Sequence, residues 1–175
     1  TGGLFGEVPS LILNVGEQQA EEAFLWWKET LGDNFYAEIN RHGLEEEDVV
    51  NEVLLRFCAK HDVKYIAANN CYYAEKKQAD AHDILLCVKD AQNVSKPKRY
   101  IGKRGREFRF GMPNEEWYLK SPAEMRKLFA DLPEGLTNAQ AIADSCESYV
   151  LERDVLLPAY EIPAEFVHAE DATDG

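Results

Sequence analysis

Residues 35–69 constrain the fold most. Phe35-Tyr36-Ala37-Glu38-Ile39-Asn40 is rich in aromatic and branched residues and reads as a strand closed by His42-Gly43. Residues 45–60 follow as a helix, with Val49, Val50, Val53, Leu54 and Phe57 as its apolar stripe. The acids Glu45-Glu46-Glu47-Asp48 suit the positive end of that helix's dipole. Val63 to Asn69 is the next strand. Strand, helix and strand at this spacing make a βαβ unit, which imposes parallel pairing and a right-handed crossover. The expected fold class is therefore α/β. The second strand runs out through Ile66-Ala67-Ala68-Asn69-Asn70-Cys71-Tyr72-Tyr73. In parallel α/β proteins, chemistry sits at such strand ends. A metal enzyme wants Asp or His there, and this chain has Asn70, Cys71 and Tyr72.

Other elements bracket this unit. Ala20, Ala23, Phe24, Trp27 and Leu31 give residues 17–31 one apolar face. A further helix over roughly 77–90 is expected to turn Ala81, Ile84, Leu85 and Val88 inward. Residues 93–118 hold Pro97, Gly102, Gly105, Gly111 and Pro113 and read as irregular, a loop long enough to be functional or mobile. Ser121-Pro122-Ala123-Glu124 is a helix start with a capping serine, a proline in the first turn and a reciprocal glutamate. That helix carries Met125, Leu128 and Phe129 inward, and a second, roughly 134–148, completes a helical pair within 119–150. Residues 151–175 read as an extended linker containing Pro158 and Pro163.

Composition narrows function. The net charge of −13 argues against a surface that binds nucleic acid throughout. The exception is residues 96–109, where Lys96, Lys98, Arg99, Lys103, Arg104, Arg106 and Arg109 face one acid, Glu107. With Tyr100, Phe108 and Phe110 interleaved, this loop has two readings. It holds a polynucleotide backbone and stacks on bases, or it clamps onto the chain's own acidic surface or onto other parts of a parent protein. No apolar run reaches the ~20 residues of a membrane span. Cys58, Cys71, Cys87 and Cys146 lack metal-binding or disulfide spacing and read as cytosolic thiols. Nucleophile-elbow and phosphate-loop motifs are absent. The start at Thr1-Gly2-Gly3, without a methionine, suggests a piece of something longer.

Five segments then match one family in order and spacing. They are Gly2-Gly3-Leu4-Phe5-Gly6-Glu7-Val8-Pro9, Phe35 to Gly43, Ala81-His82-Asp83-Ile84-Leu85-Leu86-Cys87, Tyr118 to Met125, and Leu128 to Glu134. Together they resemble the second half of the PHP (polymerase and histidinol phosphatase) domain of the bacterial replicative DNA polymerase III alpha subunit. Leu157-Pro158-Ala159-Tyr160-Glu161-Ile162-Pro163 is similar to the lead-in to that enzyme's palm. The resemblance implies part of a (β/α)7 barrel with few parallel strands over 1–92, followed by an α-helical segment. It implies a parent that synthesises DNA with Mg and whose palm carboxylates lie elsewhere. It also implies partners: the rest of the alpha subunit, a proofreading exonuclease subunit, and DNA in the parent complex.

Metal-binding relatives hold divalent ions at the strand ends to cleave phosphoesters. The family pattern there falls on Gly3, Asn70 and Tyr72, where Cys or His, Asp and His are expected. These are vestigial ligand positions, and neither a carboxamide nor a neutral phenol replaces a charged or imidazole ligand well. His42, just past a strand end, is the residual candidate ligand. No catalytic residue and no cofactor is expected in this segment. Two alternatives stand beside a structural and docking domain: a metal-dependent phosphoesterase or proofreading nuclease, and a nucleic-acid-binding module working through 96–109. Cut strand edges also predict self-association.

Overall fold

The computed structural model describes residues 1–102 and 105–151. The chain divides into Thr1–Ser145 and Cys146–Gly175. Every helix and strand below belongs to the first unit. Described residues 146–151 of the second carry neither, and the expected linker over 152–175 lies outside the described residues.

The βαβ unit forms as read. Strand β1 (Ala37–Asn40) and strand β2 (Tyr65–Ala68) pair in parallel, with Ala37 opposite Tyr65 and Asn40 opposite Ala68. The first strand is two residues shorter than its aromatic run. A single helical turn at Gly32–Asn34 leads into it, and pairing begins only at Ala37. The crossover helix, which we number α3, is Glu45–His61. Its first turn holds four acids, and Lys60 and His61 sit in its last, so both ends match the helix dipole. Its buried stripe is Glu47, Val50, Asn51, Val53, Leu54, Phe57 and Cys58. Val49, expected inside, is 52% exposed.

Two helices precede the unit, α1 (Glu7–Asn14) and α2 (Glu17–Leu31). The first was not anticipated, and Pro9 lies within it. It occupies the first turn, where a missing N–H costs no intrahelical bond. Phe24 of α2 packs edge-on against Phe35, with 5.0 Å between ring centres, and also meets Phe57 at 5.5 Å. These rings join Ile39 and Leu54, both fully buried, in the main core.

Helix α4 (Ala79–Asp90) departs from expectation. Ile84, Leu85 and Val88 are 53%, 63% and 73% exposed. Cys87 is buried instead, and Asp83, only 15% exposed, points to an arginine described below. The irregular stretch that follows contains a two-residue parallel pairing, β3 (Lys98–Arg99) with β4 (Arg109–Phe110). Residues 117–119 then run beside the end of β2: Tyr72 N–H donates to the Trp117 carbonyl at 2.8 Å and Leu119 N–H to the Tyr73 carbonyl at 3.0 Å. The helical pair is α5 (Pro122–Leu128) and α6 (Pro133–Ser145). The capping box at Ser121 and Glu124 forms on both sides. Phe129, closing α5, is fully buried, while Met125 and Leu128 are half-buried. Helix α6 lies against β2 at Gly135, where an added Cβ would come within 3.0 Å of the Ala67 nitrogen. Both described sheets are two-stranded.

Candidate functional site

The carboxyl ends of β1 and β2 open into a cleft of about 300 Å³ lined by Gly3, Glu38, Asn40, Asn69 and Asn70 among others. The pleat explains its contents: Glu38 and Asn40, two apart on β1, share a face. Glu38 Oε2 accepts the Gly2 and Gly3 N–H groups at 2.6 and 3.1 Å. Gly3 has φ 58, a backbone that side chains other than glycine adopt with strain. An added Cβ there would stand 4.0 Å from Asn40 Nδ2. Asn40 is 6% exposed, and its Oδ1 has no hydrogen-bond partner. Its backbone carbonyl accepts from Asn51 Nδ2 at 2.8 Å.

His42, two residues past the end of β1, is 1% exposed. Its Nδ1 meets Glu47 Oε1 at 2.6 Å, and its backbone N–H donates to Glu47 Oε2 at 2.5 Å. Its Nε2 meets the Asn70 carbonyl at 3.2 Å. The imidazole stacks on Trp117, 3.8 Å between ring centres and 7° between planes. Asn114 Nδ2 donates to the His42 carbonyl at 2.6 Å.

The four positions singled out in sequence, Gly3, His42, Asn70 and Tyr72, thus converge. Asn70 Nδ2 reaches the Tyr72 hydroxyl at 3.5 Å. The donor set does not fit a divalent metal. Both His42 nitrogens are engaged, Gly3 offers no side chain, the Glu38 carboxylate already accepts the Gly2 and Gly3 N–H groups and Glu47 is taken up by His42, and Asn70 and Tyr72 supply only a carboxamide and a phenol. Among the described residues, no group of three or more His, Cys, Asp and Glu side chains is placed to hold an ion. Sequence reasoning read Glu47 as one of four acids suited to a helix start and missed it as the partner of His42. Glu47 is 3% exposed. The signal was present, because Glu47, Val50, Asn51 and Leu54 share one helical stripe.

The other histidines play different parts. His82 sits between Tyr72 and Tyr73, at 5.6 and 5.4 Å between ring centres, and burial pulls its pKa down. His61 pairs with Glu21 at 2.5 Å. His168 lies outside the described residues.

The basic loop resolves into dissimilar residues. Arg109 is 3% exposed and binds Asp83 through two bonds of 2.7 Å each. Its Nε donates to the Lys96 carbonyl, and its terminal nitrogens also reach the carbonyls of Phe110 and Val94. All five guanidinium hydrogens are thereby used. Arg109 is therefore corrected from a nucleic-acid contact to an internal clamp. The Arg109 guanidinium also holds the Asp83 carboxyl below the usual range. Lys98 lies 3.9 Å from Asp83, and Lys96 Nζ donates to Gln92 at 3.0 Å. The Arg99 guanidinium stacks over Phe108 at 3.8 Å. Arg106 is exposed. Lys103 and Arg104 lie outside the described residues.

No protein-family model matches the chain. Curated relatives do. DNA polymerase III subunit alpha of Borreliella burgdorferi is 36% identical over 162 residues, 92% of this chain and 13% of that protein. The subunit from Treponema pallidum is 34% identical over 168 residues, 95% of this chain and 14% of the relative. That from Caulobacter vibrioides is 36% identical over 160 residues, 91% and 13% respectively.

This chain resembles a segment of DNA polymerase III subunit alpha.

The chain thus spans about an eighth of the length of these alpha subunits. Among the described residues, no helix is long and apolar enough to cross a membrane.

Proposed function

We propose that this chain is the second half of a PHP domain in a cytoplasmic DNA polymerase III alpha subunit, acting as a brace and docking surface. The parent would extend DNA chains on a template, with Mg held by carboxylates outside this segment, and this segment would contribute no catalytic group. One observation carries the structural reading. The strand-end site is occupied by the chain's own hydrogen bonds, His42 to Glu47 and Asn70, and Glu38 to Gly2 and Gly3. A phosphoesterase would need those donors turned toward metal and water. The exposed apolar side of α4 at Ile84, Leu85 and Val88 supports docking. Its occupant in this reading is the remainder of the alpha subunit, since the relatives carry several times this chain's length. The proofreading exonuclease subunit is the second partner.

Elemental analysis of the whole alpha subunit, together with a pull-down using its exonuclease subunit, tests the proposal. Absence of stoichiometric Zn, Mn or Fe with recovery of the exonuclease is the expected result. Stoichiometric metal lost on His42→Ala would instead favour the phosphoesterase.

A further inference from the structure

A second groove, of about 510 Å³, lies between Phe5 and the turn that follows Gly105 and shares no lining residue with the strand-end cleft. Phe5, Phe108 and Phe110 line it, together with Lys89 and one acid, Asp90. Phe5 is 60% exposed, although an aromatic ring of that size is normally covered. It is also held firmly. Its ring meets Tyr100 edge-on at 5.0 Å, Tyr100 meets Trp117 at 4.8 Å, and Trp117 lies flat on His42. The ring is thus a fixed surface presented to solvent.

Cations lie on or next to the segments that carry these rings. Arg99 covers Phe108 at 3.8 Å, Lys89 lines the groove, and exposed Arg106 follows Gly105 directly. Their concentration here stands out in a chain of net charge −13. Fixed aromatic faces bordered by cations suit one ligand chemistry, flat rings on a polyanionic backbone. A duplex keeps its base faces stacked inside, so an unpaired strand fits better.

We propose that this groove seats unpaired bases of single-stranded DNA, with Phe5 as the stacking surface, Phe108 under Arg99 as its apolar wall, and Lys89 and Arg106 holding phosphates. Arg109 has no direct part. Through Asp83 it fixes the turn that presents Phe108. The inference stands apart from the docking role, and its test reads binding directly.

The probe is fluorescein-labelled oligothymidylate of about 20 nucleotides, compared by anisotropy with a duplex of equal length at about 50 mM salt. The full chain is expected to bind the single strand more tightly than the duplex. Phe5→Ala should weaken single-strand binding by about tenfold, and Phe5→Tyr, which keeps the ring, should restore it. Arg106→Ala should lower the slope of log affinity against log salt by about 0.7, one phosphate contact. Three results would overturn the proposal. One is no binding of either DNA. Another is equal binding of both forms, unaffected by Phe5→Ala. The third is loss of exonuclease-subunit capture in Phe5→Ala without any DNA binding, which assigns the groove to a protein segment.

Discussion

At the scale of single residues, Arg109 shows what a buried cation needs in order to be tolerated. Its charge is met by Asp83 and every remaining hydrogen by a carbonyl. Lysine has neither the fork nor the donor count. Removing the carboxylate in Asp83→Ala leaves a buried charge and should cost about 3 kcal/mol in urea unfolding. Arg109→Lys should also destabilise the chain. The pH dependence has a defined sign. The Asp83 carboxyl is lowered in the folded chain, first by its bond to Arg109. Its contribution is complete above the unfolded pKa and fades as pH falls through the folded one. The Asp131 carboxyl behaves alike. Arg41, at 2.6 and 2.8 Å, holds it down at about 2. Acid titration of stability should therefore lose these contributions between roughly pH 4 and pH 2, and Asp131→Asn should flatten that limb. Local chemistry of this kind was partly legible. The capping box needs only residues 121–124 and was read from sequence. The Arg109–Asp83 pair joins residues 26 apart, so no local pattern announces it.

At the scale of elements, the βαβ unit was legible because its two periodicities lie next to each other in sequence. Helix α4 was misread because periodicity reports that a helix has an apolar side, without saying what covers it. In the described residues Asp83 and Cys87 face the interior and the aliphatic side faces out. Helix α1 was not read from sequence, and its Pro9 stands in the first turn, where a proline is tolerated. The packing of α6 on β2 gives a sharp expectation. Gly135→Ala sets a methyl 3.0 Å from the Ala67 nitrogen and 3.1 Å from the Tyr65 ring. Backbone in a paired strand yields little, so the unfolding midpoint should fall by the equivalent of about 1–2 kcal/mol.

At the scale of the whole molecule, apolar surface on α4 and a two-stranded sheet predict that the chain studied alone self-associates. Sedimentation should show concentration-dependent oligomers, and Leu85→Glu with Val88→Glu should shift them toward monomer. A monodisperse monomer in the unaltered chain would remove α4 as the sticky face. Thiol labelling offers a separate check on the core. Burial pushes the Cys58 thiol up to about 12, whereas Cys71 is exposed. Cys71 should react within the native state, and Cys58 only on unfolding. Gly3, Asn70 and Tyr72 were singled out by resemblance, and His42 by its place just past a strand end. Their closure by Glu38, Glu47 and Trp117 was not recognisable, because those partners come from a strand, a helix and a late loop that only the fold brings together.

The flat contact between His42 and Trp117 has an optical consequence. An imidazole lying face to face on an indole drains its excited state, so Trp117 should be dim while Trp26, 56% exposed, emits freely. Light from the folded chain would then come from its α2 side. A gain in emission shifted to the red, as Trp117 leaves its buried seat for water, would mark the moment when residues 114–119 lift away from the strand ends. The chain would carry a built-in lamp for its own opening, readable without a label.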